Sequence, residues 1–128
     1  MLVADQLGQF HIHHYHDNGF TVNNQRYDGC IELASHVAVR QVSPASLAAW
    51  LQQLCHIAQQ QSHPVVILGC GATQYLLPPK AYERFHQQGI GLEVMTTPAA
   101  CRTFNALSSQ RQPCFAALAP LKHTLGAT

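Results

Sequence analysis

Charge is what this 128-residue chain has least of: seven lysines and arginines and six acids leave charged residues at 10% of the sequence. An ordinary soluble domain carries about 25%. The few cations form no run anywhere. Nucleic-acid binding needs a dense cationic face, so no nucleic acid is expected as a partner. Long apolar stretches are missing too. None approaches the roughly 18 residues that a membrane-spanning helix requires, and no membrane insertion is expected. The opening "MLVADQLGQF" holds an acid and no arginine, which fits neither a secretory signal nor a typical transit peptide. The five cysteines (Cys30, Cys55, Cys70, Cys101 and Cys114) are odd in number and widely spaced. They do not read as a disulfide framework but as reduced, buried hydrophobes in a cytoplasmic compartment.

What is present is a sequence that is 47% hydrophobic, and long enough to bury a real core in one domain. No stretch reads as a linker and no repeat is found, so a single α/β domain over 1–128 is expected. Glutamine, serine, threonine and nine histidines must supply most of the polar surface. So weakly charged a surface offers little resistance to association, which points to a protein partner or a homo-oligomer.

The first part reads as strands. "QFHIHHY" and "FTVNN" flank "HDNG", where Asn18-Gly19 suits a tight hairpin turn. "CIEL" and "HVAVRQV" follow as extended segments, the second with Val37 and Val39 on one face and His36, Ala38 and Arg40 on the other. A helix is predicted next, with Ser43 as its cap and Pro44 at its first position. Leu47, Trp50, Leu51, Leu54, Cys55 and Ala58 form its apolar stripe.

The second part changes character. "PVVILGCG" is a continuous apolar run ending in glycines, as expected of a strand covered on both faces. "PKAYERFHQQG" is a short helix that Gly89 can end, "IGLEVM" a strand, "PAACRTFNALSSQ" a helix and "CFAALAP" a last strand. Short links between alternating strands and helices imply parallel strands joined by right-handed crossovers. The predicted architecture is an α/β mixed sheet, with an N-terminal antiparallel part and a three-stranded parallel βαβαβ part over Val65–Leu68, Leu92–Met95 and Phe115–Leu118.

Ligands of open α/β sheets bind beyond the carboxyl ends of the strands. Two such ends, "GCGATQ" and "TTPAACR", should lie side by side, which makes Gly69, Gly71, Thr96, Thr97, Arg102 and Asn105 the candidate crevice. Thr97 can cap the helix and Pro98 start it. Ala99 and Ala100 leave its first N–H groups open to an anion, and Arg102 could add a forked contact. The same residues also read as a purely structural junction, in which Arg102 pairs with Glu93 inside a buried strand. The structural reading is the one expected, with Arg102 held by polar partners at the crevice mouth.

Other chemistries fit poorly. "GCGATQ" has Gln74 in place of the third glycine of a dinucleotide fingerprint, and "YLLPP" breaks the helix that would follow. "HIHHYH" puts His11 and His13 on one strand face and His14 and His16 on the other, without a third ligand at zinc spacing, so no metal is expected. Cys70 and Cys101 lie near the crevice and are candidate reactive thiols. No base partner can be assigned to them, since His63 and His86 are not placed nearby, and no catalytic residue is named.

"VVILGCGATQYLLPP", "GIGLEVMTTPAACRTFNAL" and "CFAALAPL", with Trp50 and "NGFTVNNQRY" upstream, resemble one family of small proteins of unknown function. It includes the mitochondrial NADH dehydrogenase (complex I) assembly factor 3, the adipogenesis-associated domain protein and many bacterial proteins, and this chain looks like a bacterial member. The similarity runs from about Phe10 to Leu121. It implies a compact α/β fold with a mixed sheet, and a role in protein binding during complex assembly, without a cofactor or an established activity. Where relatives commonly carry an acid before the arginine matching Arg111, this chain has "SSQR". Two functions follow as expectations: a non-enzymatic binding or assembly module, or a small-molecule or anion site, possibly enzymatic, at the strand ends.

Overall fold

The computed structural model describes residues 10–34, 39–61 and 65–123. Strands β1 (Ile12–Tyr15), β2 (Gly19–Val22) and β3 (Gln25–Asp28) form an antiparallel sheet of their own, in that order. Asn18-Gly19 is indeed at the first turn, closed by the His16 amide donating to Gly19 O at 2.7 Å. The turn with two positive φ angles is the next one, at Asn23 (φ 47°) and Asn24 (φ 69°). Two consecutive left-handed residues match the right-handed twist of the flanking strands, and asparagine tolerates that region better than most residues. "FTVNN" therefore ends as a strand at Val22, and the unanticipated β3 pairs back onto β2.

The main sheet has five strands in the order β5-β4-β8-β6-β7, numbered along the chain: β4 (Cys30–Ala34), β5 (Arg40–Val42), β6 (Val65–Cys70), β7 (Gly91–Met95) and β8 (Phe115–Ala119). β6 runs parallel to both β7 and β8, in register from Val65↔Gly91 and Val66↔Phe115. β4 joins β8 antiparallel and β5 joins β4 antiparallel. The fold is mixed α/β with two sheets, so the N-terminal strands are divided: β1–β3 stand apart and β4–β5 complete the main sheet. His36, Val37 and Ala38 lie outside the described residues.

Alternation along the strands sorts the core into two layers. Val66 and Leu68 of β6 face helices α1 (Leu47–Gln61) and α2 (Pro79–Gln87), together with Cys30, Phe115 and Ala117. Ile67, Ile31, Leu33, Ala116 and Leu118 face helix α3 (Thr97–Ser109) and the apolar side of the hairpin sheet, Ile12, Phe20 and Val22. The α1 stripe is buried as expected, from Leu47 to Ala58. Its start is not the predicted one. The Ser46 hydroxyl accepts the Ala49 amide at 3.1 Å, so Ser46 caps the helix, and Ser43-Pro44 belongs to the connection from β5. Gly89 (φ 73°) does end α2: its amide returns to His86 O, and the Ile90 amide to Phe85 O at 2.9 Å. This is a Schellman ending, with Ile90 and Phe85 buried in the same layer.

Three polar residues are buried among the described residues: Glu32, Thr97 and Ser108. Each is bonded. The Glu32 carboxylate takes the Arg40 guanidinium at 2.6 Å and the Trp50 indole N–H at 2.7 Å. The Ser108 hydroxyl donates to Phe10 O at 3.2 Å. Thr97 lies at the candidate site.

Candidate functional site at the strand ends

Thr97 is the first residue of α3, not its cap; Thr96 holds that position in an extended conformation, with no side-chain hydrogen bond. The Thr97 side chain turns inward because the end of β6 meets it there. Its hydroxyl accepts the Gly71 amide at 2.8 Å and donates to Ala119 O at 2.5 Å, while its own amide donates to Gly71 O at 2.8 Å. One buried threonine thus ties the ends of β6 and β8 to the start of α3. Pro98 has no N–H to offer. Two of the three leading positions of α3 therefore present no open donor to a ligand.

The two glycines of "GCG" have separate tasks. Gly69 faces α3. A Cβ there would come to 2.9 Å from Leu118 Cδ2, 3.0 Å from Ala100 Cβ and 3.1 Å from the Thr97 hydroxyl, so its absence lets the helix lie close to the sheet. Gly71 has φ 95°, a conformation that side-chain-bearing residues rarely adopt, and turns the chain out of β6.

Between them, the Cys70 sulfur accepts the Tyr75 amide at 3.3 Å and lies 3.1 Å from Met95 O and 3.3 Å from Thr73 O. Burial pushes its thiol pKa up, opposed in part by the backbone N–H groups of Tyr75 and Cys70 itself. A thiol placed to donate to a carbonyl keeps its proton. Cys101 is 3% exposed. Burial pushes its pKa up to about 12, and the Arg102 charge only moderates this.

Arg102 and Asn105 lie elsewhere on α3. Arg102 is exposed, and so is Glu93; no ion pair joins them among the described residues. The expected pairing rested on Glu93 being buried, but β7 is the last strand of its sheet and its acid faces solvent. Asn105 binds the hairpin: its Oδ1 accepts the Ile12 amide and its Nδ2 donates to Ile12 O, both at 2.9 Å. One side-chain amide thereby stands in for a neighbouring strand along β1. The structure brings Gly69, Gly71 and Thr97 together and leaves Arg102 and Asn105 outside that cluster.

A cavity of about 510 Å³ opens beside the cluster, lined by Cys70, Thr73, Gln74, Tyr75, Lys122 and His123 among others. Its far wall is the segment after β8. This is held by the Lys122 amide on Asp17 O at 3.0 Å and by Lys122 Nζ on Asp17 Oδ2 at 3.4 Å. Sequence spacing gave no signal for Lys122 and His123, because a contact between distant segments places them. Among the described residues no three His, Cys, Asp or Glu side chains gather as a metal site. The histidines in and beside β1 lie in tilted ring pairs, His11 with His13 at 4.8 Å and His14 with His16 at 6.1 Å between ring centres.

Residues 12–119 match a family described as "Protein of unknown function (DUF498/DUF598)". The chain belongs to this family. The zebrafish (Danio rerio) relative, NADH dehydrogenase [ubiquinone] 1 alpha subcomplex assembly factor 3, is 33% identical over 85% of this chain, which spans 63% of that protein's length. A crystal structure of a protein from Bordetella parapertussis is 30% identical, covers 88% of this chain and 96% of its own, and superposes with a TM-score of 0.74. A Bordetella pertussis protein described as an Mth938-like domain reaches a TM-score of 0.76 over 98% of this chain and 92% of its own, at 24% identity. The last of these attests to the fold alone.

Proposed function

We propose that this chain is a non-enzymatic protein-binding module that acts in the assembly of a larger complex in the cytoplasm, and that it uses no cofactor. The observation that carries this is the internal use of the strand-end junction. The hydroxyl and the amide of Thr97 are both engaged by Gly71 or Ala119, and burial raises the pKa of both candidate thiols. No acid–base or nucleophile pair is assembled among these groups. The assembly-factor relative adds support, over 85% of this chain. No helix among the described residues is long and apolar enough to cross a membrane.

A second reading has one observation in its favour, the cavity beside the Gly69–Gly71 turn with Lys122 and His123 on its wall. It would be an anion or small-molecule site. Native mass spectrometry of the chain purified gently from its own cells separates the two. The assembly reading predicts bare polypeptide or a protein complex. A small molecule retained at one equivalent, and lost on Lys122→Glu, would establish the second reading instead.

A further inference from the structure

Between α1 and α2 lies a groove of about 250 Å³ with Ala48, Leu51, Ala81 and Phe85 along it and Lys80 and Arg84 at its side. Lys80 and Arg84 are four residues apart on α2, so both project from one helix face a turn apart. Both are exposed, and neither forms an ion pair among the described residues. Arg26, Arg40 and Lys122 are all paired with acids. The acid nearest in sequence, Glu83, accepts the Gln87 side-chain amide at 3.3 Å. In a chain with so few charges, two unpaired cations beside an apolar groove are a local concentration of positive potential.

Building on the protein-binding reading, we propose that this groove receives an acidic amphipathic helix of the client, with apolar side chains seated between α1 and α2 and carboxylates on Lys80 and Arg84. Two helices leave between them a trough of the kind that a third helix fills with its i, i+3 and i+4 apolar residues. Charge complementarity decides the occupant. A second copy of this chain would be poorly matched: among the described residues Asp17, Asp28 and Glu32 are already paired, and Glu83 and Glu93 stand on separate elements. The described residues supply no matching pair of carboxylates, so the occupant we propose is another protein.

The test is an NMR titration of the full ¹⁵N-labelled chain with two synthetic helical peptides of identical leucine spacing, one flanked by glutamates and one by lysines. The acidic peptide should shift the amides of Ala48, Leu51, Ala81 and Arg84. Its affinity should fall about tenfold in the K80E/R84E variant, which should then accept the basic peptide. An R26E variant, which reverses a single charge on the hairpin sheet, should bind as wild type does. The groove is overturned by equal binding of the acidic peptide to K80E/R84E, by shifts that map elsewhere, or by no binding of either peptide at millimolar concentration. Cross-linking in the native cell keeps this separate from the broader reading. A client still captured by K80E/R84E removes the groove and leaves the module, whereas no client on the wild-type chain removes both.

Discussion

Thr97 has no exposed surface and satisfies two backbone groups from different strands with one hydroxyl. A buried donor or acceptor left without its partner costs about 1–3 kcal/mol. Thr97→Val keeps the shape and strands both groups, so urea unfolding should show a loss of about 2–6 kcal/mol by the same reckoning. Thr97→Ser, which retains the hydroxyl, should lose much less. Arg102 behaves oppositely. It is exposed and pairs with no acid among the described residues, so Arg102→Ala should melt within about 0.5 kcal/mol of wild type. The two side chains illustrate what the sequence could reveal at this scale. The residues "TTP" at a strand-to-helix junction made the position of the site legible. Which threonine turns inward depends on where the ends of β6 and β8 meet α3, whether Glu93 is covered depends on β7 being an edge strand, and no local pattern reports either.

The elements whose chemistry is local were the legible ones. The α1 stripe, the glycine end of α2 and the apolar run of β6 follow from periodicity and from backbone freedom at one residue. β3 escaped because "QRYD" carries mostly exposed polar side chains and forms through pairing to β2 alone. The start of α1 escaped because "SPAS" offers two serines three residues apart, and local rules do not choose between them. The end of α3 provides a test at this scale. The Arg111 amide returns to Ser108 O and the Gln112 amide to Leu107 O, the same ending as in α2, but with Arg111 rather than glycine at the left-handed position, φ 59°. Side chains are disfavoured there by about 1–2 kcal/mol. Arg111→Gly recovers part of that and gives some back through the greater freedom of the unfolded chain. Thermal unfolding should therefore show a gain of about 0.5–1 kcal/mol, and a loss would contradict the strain assigned to this turn.

For the whole molecule, scarcity of charge and an excess of buried thiols set the behaviour. All five cysteines are buried and none forms a disulfide. Burial pushes the pKa of Cys30 up to about 11 and that of Cys101 to about 12, from an ordinary 9.0. The folded protein therefore retains protons that the unfolded chain releases, and this contribution to stability is complete below about pH 9. It declines as the pH rises toward each folded value, by up to about 1.4 kcal/mol per pH unit for each thiol. Urea unfolding between pH 9 and 11 should be shallower in slope against pH for Cys101→Ala than for wild type, whatever the variant's absolute stability. Equal slopes would mean that Cys101 is accessible enough to ionise in the native state.

The same scarcity of charge underlies the central claim, that this surface exists to meet another protein. Quantitative cross-linking of the wild-type chain in living cells of its own organism, read by mass spectrometry, tests it most directly. The account predicts one recurrent protein client, linked through the main-sheet layer that carries α1 and α2. A chain recovered un-cross-linked at 14.1 kDa, with a small molecule bound at the strand ends, would contradict it.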